Sequence, residues 1–466
     1  MGEFLKYLDK WQVARVAVYA FFYMILFWGA TGKVGRKEFN DDFDSLETMK
    51  SLRGLAAIGV ILHHISQEEF FQKAKVLTPF VNAGAFFVAI FFFCSGFGLM
   101  RSLDVKEDYL KGFIKKRIVK SIVLPYYINI ILYALFYRFI CVKKMPTAQW
   151  LWNFSGFTMM NVYAWFPIIL AILYLFFYIF FRIFKNPKMR PLVFVLMALV
   201  IFGLGLTFCY GGHFAWWSGK KNWWLMGSKT KWWKEQRVFW FQGEWWVNSA
   251  IAFLAGLIFA NYEKKIVPWF QKLYGLKFHI LLALTYVAYR LSNYGQEKFG
   301  YWTEYSGKGP GIADKVKTYF CQQPVFLLLG VLVIVFMMKY HVNNPVTRFF
   351  GNCSLHTYLM NLMALEYFRD LYVRKRFPFK TAQNKLLVFA VCVFAFTILL
   401  GLLEKLITDC LQDLLFPNKK QKKQKKQEVI DEISDAQEDA SESESVENLK
   451  QEEVVDTLET TESPAN

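Results

Sequence analysis

Apolar runs of fifteen to twenty-four residues recur along most of the chain, at 11–30, 51–66, 80–100, 121–140, 161–184, 191–210, 245–262, 278–292, 322–340, 353–371 and 385–407. About twenty apolar residues cross the hydrocarbon of a bilayer as a helix. Only helices and closed barrels can span it, because no water is there to satisfy a stray peptide group. The predicted fold class is therefore all-α, a polytopic transmembrane helical bundle of about 10–11 spans. The uncertain member is 11–30, which reads either as a span or as a helix lying along the interface. No small-residue cleavage site follows it, so it is expected to be retained.

Charge is distributed unevenly. The chain carries +18 overall, but residues 417–466 hold 7 lysines and 14 acids, net −7, which leaves +25 on the rest. That tail is Ser-rich and free of aromatics, cannot bury a core, and is expected to be disordered. Its lysine run beside the last apolar stretch argues for a cytoplasmic location. The expected organisation is an extra helix and connector over 1–50, a transmembrane domain over 51–408 and the tail over 417–466. No soluble basic domain exists, which argues against nucleic acid as a partner. The seven cysteines have no metal-ligand spacing, so they read as small packing residues and no metal site is predicted.

One run breaks the apolar rule in a telling way. Ser51-Leu-Arg-Gly-Leu-Ala-Ala-Ile-Gly-Val-Ile-Leu-His-His-Ile-Ser66 carries Arg53, His63 and His64. Charge inside such a run is costly and marks a site by default. At about 100° and 1.5 Å per residue, Arg53 and His64 share one helix face about 16 Å apart, while His63 sits about 80° off it. Arg53 and His64 thus mark two levels of one corridor. The alternative is an arginine snorkelling to the interface and two histidines satisfied by neighbouring helices. At sixteen residues the run is short for a span, so its helix is expected to begin upstream or lie half-buried among its neighbours.

Further elements follow in order. Phe91-Phe-Phe-Cys-Ser95-Gly96-Phe97 places small residues where helices can approach closely. Residues 101–120 hold seven cations and lead through Lys116, Arg117 and Lys120 into Pro125. Such a cluster suits phosphate groups, or is simply a positive-inside loop. Tyr163-Ala-Trp-Phe-Pro opens the next run but one and reads, alone, as an interfacial anchor. Nine of the sixteen tryptophans fall in 211–246, among them Trp223, Trp224, Trp232 and Trp233. They form either a headgroup-level belt or platforms for sugar rings. Gly351, Ser354, Tyr358, Leu359 and Asn361 form a late motif, and Glu366 reads as the only acid deep in a late span.

Arginine, ten residues, histidine; then Phe-Phe-x-x-Ser-Gly-Phe; then Arg-x-x-Lys before a proline; then Gly-x-x-Ser…Tyr-Leu: the series resembles the acyltransferase 3 family of integral-membrane O-acyltransferases. Four positions depart from it. Leu355 stands where the family has tyrosine, Asn361 where it has histidine, and Phe87 and Ala89 where it has glycine and an acid. The resemblance implies transfer of an acyl group, usually acetyl from acetyl-CoA, to a hydroxyl of a glycan or similar extracytoplasmic acceptor, at a multi-pass protein of the plasma or inner membrane. No cofactor is expected to be tightly bound, and acyl-CoA, glycan and membrane lipid are the implied partners. His64 is the implied base or acyl carrier, with Arg53 placing the donor. Lys116, Arg117 and Lys120 are implied donor-phosphate ligands. Ser95, Tyr358, Asn361, Glu366 and His63 support the site, and the four loop tryptophans face the acceptor. Rival classes are a transporter of glycan or lipid, against which the absence of an internal repeat counts, and a non-catalytic partner of a glycan-assembly complex.

Overall fold

The computed structural model describes residues 35–141, 147–155, 159–211, 244–299, 312–373 and 382–417, with scattered positions in 16–33. Trp223, Trp224, Trp232 and Trp233, most of the 11–30 run and the tail after Pro417 lie outside the described residues. Residues 1–406 form one compact unit and 407–466 a second.

Helices account for nearly all of the described chain. They are α1 (Leu46–Ser66), α2 (Glu69–Ala74), α3 (Gly84–Val105), α4 (Ile114–Ile140), α5 (Thr147–Ser155), α6 (Trp165–Ile183) and α7 (Arg190–Gly211). After them come α8 (Ile251–Gln271), α9 (Tyr274–Phe299), α10 (Ile312–Met337), α11 (Pro345–Asn352), α12 (Ser354–Val373) and α13 (Ala382–Leu415). A two-residue antiparallel ribbon, β1 (Thr31–Gly32) with β2 (Tyr340–His341), is the sheet content among the described residues.

Among the described residues six helices are long and apolar enough to cross a membrane: α3, α4, α6, α13, the stretch Pro187–Cys209 that runs into α7, and Ala313–Met337 in α10. The helical, membrane-crossing class is as expected, but the span count of ten to eleven is not reached by that measure. The helices α1, α8, α9 and α12 cover expected runs at 20 to 26 residues, yet charged and polar residues dilute them. Ends moved as well. The basic connector expected over 101–120 is shorter, because α3 runs on to Val105 and α4 starts at Ile114. The run expected at 245–262 starts in a short 3-10 helix, Glu244–Trp246, passes through a turn and becomes α-helical only at Ile251.

Helix α1 does begin upstream of the apolar run. Ser45 caps it by accepting from the Thr48 N–H, and Glu47 sits in the first turn, where the helix dipole favours an acid. Glycines then set the packing. A Cβ at Gly54 would collide with the Thr347 carbonyl, and one at Gly351 with the Lys50 carbonyl, so α1 and α11 touch backbone to backbone. Helices α3 and α8 meet in the same way, Gly96 against the Phe253 carbonyl and Gly256 against that of Phe93. Lipid supplies no hydrophobic drive between helices, so close contact of this kind has to do the packing.

Helices α1 and α3 run antiparallel. Arg101 near the end of α3 pairs with Asp44 just before α1, while His63 near the end of α1 lies against Gly84 at the start of α3. The basic segment after α3 therefore sits at the Arg53 end of α1, and the histidines at the other end.

If glycine contact sets the α3–α8 spacing, Gly256→Val should cost about 3 kcal/mol or more through overpacking, read as lost thermal stability of the purified protein in detergent. Gly98→Ala should be tolerated, since nothing lies within 4 Å of a Cβ there.

Candidate functional site

At the histidine end lies a cavity of about 160 Å³, walled by His63, His64, Tyr163, Trp165, Trp245 and Asn248, among others. His64 is 7 % exposed. Its Nδ1 lies 2.6 Å from Asn361 Oδ1, and Asn361 Nδ2 donates to Thr397 Oγ1 at 3.2 Å. The Thr397 hydroxyl spends its only proton on the Val393 carbonyl, at 2.7 Å, so toward Asn361 it can only accept. The amide nitrogen of Asn361 must therefore face Thr397 and its oxygen must face His64. A neutral His64 then carries its proton on Nδ1, leaving the Nε2 lone pair. Three helices, α1, α12 and α13, fix this one tautomer.

The His64 ring is also held flat. It stacks on Tyr163, with centroids 3.9 Å apart and planes 13° apart. Tyr163 is set in turn by a polar knot. Its N–H donates to Asn161 Oδ1 at 3.0 Å, and its carbonyl accepts from Tyr358 OH at 2.5 Å. Asn161 and Asn129 both donate to the Leu359 carbonyl, at 2.7 and 3.2 Å, which joins α4, the turn before α6 and α12.

His63 stands closer to the chemistry than its angular offset implied. Its Nδ1 faces the Phe80 carbonyl at 2.8 Å, an acceptor only, so Nδ1 is again the protonated nitrogen. Its ring centroid is 5.2 Å from that of His64, and it lines the same cavity. A Cβ at position 84 would collide with His63 Nε2, so glycine is required there. The cavity wraps the end of α1, and both faces of the helix open onto it.

Arg53 lies three turns below. Its Nε is buried and has no hydrogen-bond partner among the described residues. Its charge reaches Cys94 and Tyr174. Tyr174 packs on Phe113 with ring centroids 6.1 Å apart and lies within electrostatic reach of Ser95 and Arg117. Arg117 donates to Tyr109 OH at 3.0 Å and, with Lys106, Lys111, Lys116 and the acids Glu107 and Asp108, lines a cavity of about 250 Å³. A neighbouring cavity of about 550 Å³ adds Arg182, Lys185 and Arg190. Lys120 is not among the residues lining either cavity, and Arg101 is committed to Asp44 and Glu263.

Glu366 needs a correction. It is not the only acid deep in a late helix, because Glu404 on α13 is 0 % exposed and lies 3.6 Å from His356 Nδ1. Helix α13 continues past the expected end of its run to Leu415, which leaves Glu404 inside. Glu366 itself faces Tyr137, whose hydroxyl bonds it, and Tyr133. A pair the sequence did not disclose, Arg369 with Glu68 at 2.9 Å, ties the far end of α12 to the residues just after α1.

The family is now plain. The family model described as an acyltransferase domain, that of acyltransferase 3, matches residues 46–403, and the chain belongs to this family. It is a multi-pass membrane protein with an acyltransferase domain. No curated protein and no solved structure matches it.

The order of the hydrogen-bond relay gives a graded expectation. Asn361→Leu should lower turnover at least tenfold at unchanged expression, through loss of the His64 tautomer. Thr397→Val, which breaks only the outer link, should cost less. Turnover measured in membranes at matched protein levels checks both.

Proposed function

We propose that the protein moves an acyl group, acetyl in the first instance, from acyl-CoA to a hydroxyl of a glycan or similar acceptor. The observation that carries this reading is His64, with Nδ1 tied through Asn361 to Thr397 and its ring exposed to a cavity away from the cations. A fixed tautomer with a lone pair on Nε2 suits a general base, and proton transfer of this kind is worth roughly 10²–10⁴-fold.

In the step envisaged, Nε2 takes the acceptor hydroxyl proton while the oxygen attacks the thioester carbonyl. The C–S bond breaks, the ester forms, and the imidazolium returns its proton to the departing CoA thiolate. Lys116 and Arg117, with Lys106 and Lys111 beside them, would hold the donor's phosphates, and Arg53 would steer the extended pantetheine arm toward His64. Acetyl-CoA is a substrate here and not a resident cofactor. Lys120 and Glu366 have no direct part in this scheme.

The lysine run in the tail and the cations after α3 support an orientation with the Arg53 end and the tail in the cytoplasm, and the cavity toward the acceptor. The loop tryptophans at 223, 224, 232 and 233 would then face the acceptor as well.

Labelled acetyl-CoA incubated with membranes containing the protein and candidate glycans tests this directly. Transfer of label should appear with the wild type and fall by at least a hundredfold in His64→Ala. Absence of transfer to any acceptor, or an unimpaired His64→Ala, would remove the catalytic reading.

Arg117→Gln, combined with Lys116→Gln, should raise the KM for acetyl-CoA about tenfold or more and leave that for the acceptor nearly unchanged. Steady-state kinetics with each substrate varied in turn separates the two.

A further inference from the structure

Behind the cavity wall lies a group of polar atoms that the reaction above does not use. Asn248, in the turn before α8, is 3 % exposed and lines the cavity. Its Nδ2 donates to Gln322 Oε1 at 3.1 Å. Gln323 Nε2 donates to the Asn248 and Tyr319 carbonyls, at 3.2 and 3.0 Å. Four side-chain atoms in this group are buried with no partner among the described residues: Asn248 Oδ1, Ser249 Oγ, Gln322 Nε2 and Gln323 Oε1. Each such atom is costly when left unmet. Four of them in one cluster, beside a cavity, are poorly explained as packing.

The result does not depend on how the amides are turned. Rotating Asn248 and Gln322 together would still give one bond between them and still leave one acceptor and one donor unused. We propose that this cluster is a subsite for an uncharged, polyhydroxylated ring, with Asn248 contacting a ring hydroxyl and Gln322 and Gln323 holding Asn248 in position. This rests on reading the cavity as the acceptor site.

The chemistry selects the ligand class. A hydroxyl both donates and accepts, so it meets an amide oxygen and an amide N–H at once. A carboxylate only accepts, so it would leave the amide oxygens of the cluster unmet; an ammonium would find no acid. Among the described residues lining the cavity there is no Asp, Glu, Lys or Arg. Carboxamides supply the polar side instead, with Gln67, Asn82 and Gln296 beside Asn248. Trp165 and Trp245 stand 5.5 Å apart at 83°, a corner of two ring faces against which the C–H face of a sugar can rest. A volume of about 160 Å³ equals that of roughly five waters at ~30 Å³ each, the size of one such ring.

Binding, rather than turnover, tests this. The full chain in lipid nanodiscs would be examined by saturation-transfer NMR with methyl β-glucoside, methyl N-acetyl-β-glucosaminide and methyl β-glucuronide. At least one neutral glycoside should receive saturation, and the glucuronide should bind about tenfold more weakly or not at all. Asn248→Ala should weaken the neutral ligand about tenfold, the loss of roughly one or two hydrogen bonds. Gln322→Met keeps the length of the side chain and should weaken it to a smaller degree, which guards against a variant that fails to fold; melting curves identify any that does. No binding by the wild type would mean that solvent alone satisfies the cluster, and would overturn the proposal. So would equal binding of the glucuronide, or unchanged affinity in both variants. Neutral glycosides that bind as stated but accept no acetyl group would leave the subsite standing and count against the transfer reaction.

Discussion

Contact between backbones, made possible by glycine, is the constraint from which the rest follows. Gly54 and Gly351 let α1 lie directly on α11, and everything in the site is referenced to α1: Arg53 near its start, His63 and His64 near its end. In lipid this closeness replaces the hydrophobic drive that would hold a soluble core together. Gly84 extends the same logic to the cavity, since only a residue without a Cβ leaves the His63 ring its place.

The site divides its polar groups by type along this frame. Cations gather around the two cavities at the Arg53 end, whereas the cavity at the histidine end is walled by aromatic rings, carboxamides and imidazoles. Two partners of opposite character, one polyanionic and one neutral, suit that separation. The helix carrying Arg53 and His64 connects the two ends over about 16 Å.

Much of this was legible in the chain, and the reasons for the remainder are physical. Apolar runs located the long helices because length and hydropathy are local properties. Their ends were harder: the cap at Ser45 and the amphipathic start of α4 extended helices beyond the apolar signal. Arg53 and His64 stood out because charge in an apolar run is expensive, and Asn361 because it fell in a motif. Thr397 and Asn248 carried no such mark, since their importance lies in what folding brings near them. Tyr163 and Trp165 looked like interfacial anchors, and only the stacking on His64 and the cavity wall reveal another part for them. His63 lines the same cavity as His64 despite its angular offset, because helical periodicity does not say how far a cavity wraps.

The knot at Leu359 carries a consequence for how such a chain can vary. Its carbonyl takes hydrogen bonds from two asparagines on separate segments, Asn129 and Asn161, which registers α12 against its neighbours at that one residue. Asn361 is two positions further on. A single inserted or deleted residue between them would swing the amide about 100° around the helix and away from His64. Changes in chain length are therefore barred from this short stretch.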